Sequence, residues 1–94
     1  MAKSIIQDTK QCYVCNTTIG LHDHHVFFGS NRKISEQHGL KVWLCGKHHN
    51  LSNEGVHFNK KLDLKLKKQL QLYWMKKNNK TIEDFITLIG RNYI

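Results

Sequence analysis

The sequence predicts a small α+β fold: two strands and four helices, with a metal-stapled front half and a helical extension behind it. Three observations carry this. A Cys-x-x-Cys pair at Cys12 and Cys15 and a Cys-x-x-His pair at Cys45 and His48 frame the front half. Five of the six glycines, all three cysteines and all seven histidines lie within residues 11–58, which makes that half loop-rich. From residue 59 the composition turns to Lys, Leu and Gln, with apolar residues at helical spacing. A chain of 94 residues is enough for one compact domain and not two. We therefore expect a single domain over 1–94, comprising a loose leader over 1–10, a metal-bearing core over 11–58 and the helical extension over 59–94.

The elements follow in order. Cys12-Tyr-Val-Cys15, with Asn16 and Gly20 behind it, reads as a knuckle turn. His24–Phe28 has β-branched and aromatic residues and ends at Gly29, which predicts a short strand. Residues 31–38 predict a helical segment stopped by Gly39. Leu40–Leu44 predicts the second strand, and Lys47–Glu54 a short helix ending at Gly55. Leu62, Leu66, Leu70, Tyr73 and Trp74 form one apolar helical stripe, with Lys61, Lys65, Lys68 and Lys76 off it. This is the pattern of core packing rather than of a cofactor site. Thr81 and Asp84 form a helix-capping pattern that opens a last helix, with Ile82, Phe85, Ile86 and Ile89 as its core side and Gly90 as its stop.

The charge narrows the partners. Fifteen basic against seven acidic residues leave a net charge of +8, which suits a polyanion, nucleic acid first. A lysine-rich helix can also be simply a solvated face, so charge alone does not decide. No apolar run approaches the roughly 20 residues that span a bilayer, so no membrane partner is expected. The first ten residues hold no stretch long enough for a signal-peptide core, and a cytoplasmic chain is expected. Three cysteines cannot close a disulfide framework without one left over, whereas few cysteines among many histidines point to metal.

Each of the two zinc pairs has the three-residue offset that lets one turn grip one ion, with 29 residues between the pairs. Cys12, Cys15, Cys45 and His48 together supply the four thiolate and imidazole ligands of a closed, structural Zn²⁺ site. Such a site makes metal binding and folding one event. His24, His25, His49 and His57 remain outside it. His49 opens the helix after the zinc pair and can face a second ion, and Asn53, four residues on, shares its helix face. His57 can approach the same place. Phosphodiester hydrolysis needs an activated water and stabilisation of charge on phosphorus, which a neutral imidazole and a divalent ion supply. Adjacent strand residues point to opposite faces, so a ligand at His24 beside a base at His25 requires the doublet to lie at a strand end, where twist brings both into one cleft.

The pieces CYVC, HHV, LCGKHH and NLSNEGVH, in this order, resemble the HNH (His-Me finger) endonucleases over about residues 12–58. The later GVHFNKKLDLKLKK and EDFITLIGRNYI are similar to small prophage-encoded HNH proteins. The resemblance implies a ββα-metal, treble-clef-like core. It implies that His25 is the general base, that His24 and His49 bind the catalytic metal, and that Asn53 supplies a further ligand; His57 has no place in the family's motif and is a candidate ligand by its position alone. It further implies Mg²⁺ or another divalent ion as catalytic metal, DNA as substrate, and phage or recombination proteins as partners. Asp23-His24 is an alternative register, with Asp23 as ligand and His24 as base; Val26 after the doublet favours His24-His25. The family's middle Asn has no counterpart in His38-Gly39-Leu40-Lys41, which leaves Asn31 or His38 to orient the base-bearing loop. Arg32, Lys33, Lys47 and Arg91 are candidate phosphate contacts. Two alternatives from other classes are a non-catalytic zinc-stabilised nucleic-acid-binding module, which leaves His24, His25 and His49 without a purpose, and a zinc-stabilised protein-interaction domain, which leaves the charge unexplained as well.

Overall fold

A computed structural model describes residues 4–49, 55–56 and 59–94. Two strands, β1 (Leu21–His25) and β2 (Lys41–Cys45), form an antiparallel pair with Leu21 opposite Cys45 and His25 opposite Lys41. A 3₁₀ turn (Gly29–Asn31) and helix α1 (Arg32–His38) connect them. Helix α2 (Gly46–His49) follows β2 without a break. Helices α3 (Lys60–Asn78) and α4 (Ile82–Ile89) form the extension.

The first strand lies three residues earlier than the sequence predicts. Val26 and Phe27 are strongly β-forming, but their side chains are spent on the core, where both are buried. The Phe27 backbone leaves the ladder to exchange hydrogen bonds with Ser35 of α1. The second strand is displaced by one residue. The helix expected over 47–54 runs over Gly46–His49 among the described residues. Helix α1 stops where expected, because Gly39 takes a left-handed conformation (φ 67°) and its N–H donates to Ser35 C=O. A residue with a Cβ is disfavoured there.

The leader is not loose from Ser4 onward. Ile5 N–H donates to Gly39 C=O (3.0 Å), and Gln7 Oε1 accepts from the Trp43 N–H of β2 (2.7 Å). That amide faces the open edge of a two-stranded sheet and needs an acceptor, which the leader supplies.

Helix α3 is capped by Asn59, whose side chain accepts from Leu62 N–H. Leu66, Leu70 and Trp74 of the expected stripe are buried. Tyr73 is instead 44% exposed, and the polar Gln71 is fully buried beside Leu70. Gln71 is satisfied there: its Oε1 accepts from Tyr93 N–H (2.7 Å) and its Nε2 donates to Asn92 Oδ1 (2.8 Å). In α4 the capping box forms as expected, with Thr81 and Asp84 each accepting from the other's backbone N–H. Phe85 and Ile89 are buried, but Ile82 and Ile86 lie 37% and 40% exposed. A helix of eight residues at the surface buries one narrow stripe, and Phe85 and Ile89, four residues apart, occupy it. Phe85 contacts Trp74 of α3 and Phe27 of the hairpin, with ring centroids 5.6 and 5.4 Å apart. The core of the extension is therefore continuous with that of the front half.

Candidate functional site

Cys12 and Cys15 sit in a tight turn closed by the Asn16 N–H donating to Cys12 C=O (2.9 Å), with Asn16 in the left-handed region. The Tyr13 N–H donates to Trp43 C=O and fastens this turn to β2. Cys45 is the last residue of β2, and His48 lies one helical turn on in α2. The four donor atoms fall within 4.8 Å of one another. Cys15 Sγ is 3.7 Å from Cys45 Sγ, and His48 Nδ1 is 3.3 Å from Cys45 Sγ and 3.8 Å from Cys12 Sγ. With Zn–S near 2.3 Å and Zn–N near 2.05 Å, a tetrahedron has edges of about 3.8 Å between sulfurs and about 3.6 Å from sulfur to nitrogen. The donor set and its spacing thus fit a metal ion such as zinc. All three cysteines are free thiols. Burial by itself raises the Cys12 thiol, but the backbone N–H groups of Cys45, Cys15 and Val14 outweigh it and bring the group down to about 6. The Thr17 amide pulls Cys15 down, yet burial and the neighbouring Cys12 and Cys45 sulfurs leave it raised. A thiol that receives several amide N–H donors is lowered, whereas one that must share its site with other thiols is raised.

The histidine doublet is divided between the two faces of β1. His24 is buried, its ring centroid 5.2 Å from that of His49. His22, two residues earlier on the same face, meets His49 as well, with their Nδ1 atoms 2.7 Å apart. That distance is a nitrogen–nitrogen hydrogen bond, so one of the two carries its proton on Nδ1. His25 shares the opposite face with Asp23. Its Nε2 lies 2.9 Å from Glu36 Oε1 of α1. Twist at the strand end therefore does not bring both members of the doublet into one cleft; strand alternation prevails. The Asp23–His24 register is divided in the same way, and Asp23 Oδ2 accepts from Lys41 Nζ (3.1 Å).

His25 and Glu36 line a cleft of about 420 Å³ together with Gly29, Ser30, Arg32 and Lys33. Arg32 and Lys33 thus lie where an anion reaching His25 would meet them. Lys47 is exposed on α2, and Arg91 follows α4 with its guanidinium 5.3 Å from the Tyr93 ring; neither lines this cleft. Asn53 and His57 lie outside the described residues. Asn31 is occupied elsewhere, its side-chain N–H donating to Ile89 C=O (2.9 Å). His38 is exposed at the end of α1. The loop after His25 is instead held by Ser35, fully buried, whose hydroxyl donates to Phe27 C=O and accepts from Phe27 N–H (3.2 Å).

Sequence reasoning missed Glu36, Lys41, Ser35 and His22. Two of these left a signal. His22 is the period-two mate of His24, and Lys41 opposes His25 once the strands are paired. Glu36 and Ser35 reach the site only through the placement of α1, which no local pattern encodes. The chain matches no protein-family model, no curated protein and no solved structure. Among the described residues no helix is long and apolar enough to cross a membrane.

Proposed function

We propose that this protein is a metal-dependent endonuclease of the HNH kind that hydrolyses phosphodiester bonds in DNA. In this reading Cys12, Cys15, Cys45 and His48 hold a structural zinc ion within a ββα-metal core made of β1, β2 and α2. The observation that carries it is the histidine arrangement around the last turn of that core. His24 packs against His49 directly beyond the Cys–His cluster, while the next residue, His25, opens into a cleft with Arg32 and Lys33. A divalent ion held by His24 and His49 would lie on the face of β1 opposite His25 and would fix the strand end that carries the base, while Arg32 and Lys33, which share the cleft with His25, stabilise charge at the phosphate.

The chain's own residues supply the rest. Arg32 and Lys33 bind and orient the phosphate through charge-assisted hydrogen bonds. His25 takes the proton of the attacking water, a step worth typically 10²–10⁴-fold. The +8 net charge raises the local concentration of a polyanionic substrate and makes its binding salt-dependent.

Plasmid cleavage by the zinc-loaded protein, with Mg²⁺, Mn²⁺, Ni²⁺ or Co²⁺ added, tests this directly. Wild type is expected to nick or linearise DNA and His25→Ala to lose at least about 100-fold in rate. Inert wild-type protein with every metal, combined with retained DNA binding, would favour a non-catalytic nucleic-acid-binding module instead. Equal activity of wild type and His25→Ala would remove His25 as base.

A further inference from the structure

Behind His25 lies a four-residue network that the nuclease reading does not use. Glu36 Oε1 faces His25 Nε2 at 2.9 Å. The same Oε1 lies 3.1 Å from Lys41 Nζ, and Oε2 lies 2.9 Å from it. Lys41 is buried, and Asp23 is its second carboxylate partner at 3.1 Å. The ladder register sets Lys41 opposite His25, so the sheet itself delivers the ammonium to the carboxylate that meets the imidazole.

We infer that Glu36, anchored by Lys41, is the positioning residue of His25 and leaves Nδ1 as the nitrogen that accepts a proton. The reasoning is one of donors and acceptors. A carboxylate clamped by an ammonium offers only lone pairs. Its contact with His25 Nε2 must then be an N–H donated by the imidazole. In the neutral ring the remaining lone pair sits on Nδ1. The ionised state of Glu36 agrees: its hydrogen bonds from His25 and Lys41 bring the carboxyl down to about 2. Asp23, His25 and Glu36 also form a donor set that could hold a cation. Lys41 Nζ already lies within 3.1 Å of both carboxylates, so a charged side chain takes that position.

The catalytic consequence rests on the proposed nuclease activity; the hydrogen-bond assignment does not. The test therefore has two arms on full-length, zinc-loaded protein. In ¹⁵N-resolved histidine NMR at neutral to mildly alkaline pH, His25 is expected to show a protonated, exchange-protected Nε2 and an unprotonated Nδ1. Glu36→Ala is expected to remove that protection. A proton on Nδ1 in wild type, or unchanged Nε2 protection in Glu36→Ala, overturns the inference. In the cleavage assay Glu36→Ala is expected to lower kcat about 100-fold, the scale set by misplacing a reacting group, with KM within about threefold of wild type. Glu36→Gln, whose amide oxygen can accept from both His25 and Lys41, is expected to recover about tenfold of that loss through the retained acceptor. Unchanged kcat in Glu36→Ala overturns the positioning role. If wild type is inert with every metal, the nuclease proposal falls, and the NMR arm alone decides whether Glu36 orients His25.

Discussion

Ser35→Ala removes one hydroxyl from the interior and two hydrogen bonds from the backbone of the loop that follows His25. Ser35 is fully buried and Phe27 is 2% exposed, so water cannot take the hydroxyl's place without opening the core. The Phe27 N–H and C=O both lose their side-chain partner. A buried polar group left unsatisfied costs about 1–3 kcal/mol, and relaxation of the loop recovers part of it, which gives about 2–4 kcal/mol for the pair. For a domain of this size that is a fall in Tm of about 8–32 °C, at roughly 4–8 °C per kcal/mol. Thermal unfolding of the zinc-loaded protein by circular dichroism, with urea denaturation as a second measure, reads the effect. Phe27 ring contacts with Phe85 and Tyr93 make the loss felt in the extension as well as in the hairpin. A Ser35→Ala variant within about 1 kcal/mol of wild type, the cost of one ordinary hydrogen bond, would show that the Phe27 backbone is satisfied without Ser35 and refute the account of how this loop is held.

Three other outcomes are expected. Cys45→Ser takes a ligand from the Cys–His cluster and should abolish stoichiometric zinc binding. Because zinc in small modules contributes about 10–16 kcal/mol of apparent binding energy, comparable to or larger than a whole domain's stability, amide-exchange protection of β1, β2 and α2 should vanish with the metal. A folded, metal-free variant would contradict the structural role. Glu36→Gln should alter the acid limb of stability. Hydrogen bonds from His25 and Lys41 depress the Glu36 carboxyl from 4.5 to about 2, so its contribution is complete above pH 4.5 and is lost as pH falls through about 2. The stability difference between wild type and variant, from urea midpoints across that window, should shrink toward acid; a pH-independent difference would rule the linkage out. Gln71→Ala leaves the Tyr93 N–H and the Asn92 side chain without their buried partner. A loss of about 1–3 kcal/mol is expected, with exchange protection lost first at Tyr93.

The fold was legible where the signal is local. Gly39 and Gly90 mark helix ends because few other residues tolerate the left-handed conformation they adopt. Thr81 and Asp84 cap α4 because the reciprocal hydrogen bonds span only three residues. The Leu66, Leu70, Trp74 stripe follows from helical periodicity alone. The errors arise where tertiary structure chooses. Val26 and Phe27 have strand propensity, but the paired ladder ends at His25 and Lys41; Val26 N–H still donates to Leu40 C=O, and the Phe27 backbone turns to Ser35 instead. Gln71 reads as a surface residue until the chain end arrives to bond both halves of its amide.

The site divides along the same line. Cys12, Cys15, Cys45 and His48 could be named together because each pair lies on one turn, and a turn brings residues three apart to one ion whatever the rest of the chain does. The His24-His25 doublet could be found but not interpreted. Its two side chains must diverge in a strand, so each one's role depends on the face it reaches and on what the fold has put there. On one face that is His49, carried one residue beyond the Cys45–His48 pair and thus still tied to a local motif. On the other it is Glu36 and Lys41, one from a connecting helix and one from strand pairing. The metal-binding part of the proposed chemistry is accordingly written in short-range spacing, while the part that would tune the base is written in register and helix placement. Substitution of Glu36 therefore separates the two: it should change the state of the His25 ring while leaving zinc content at the Cys–His cluster intact.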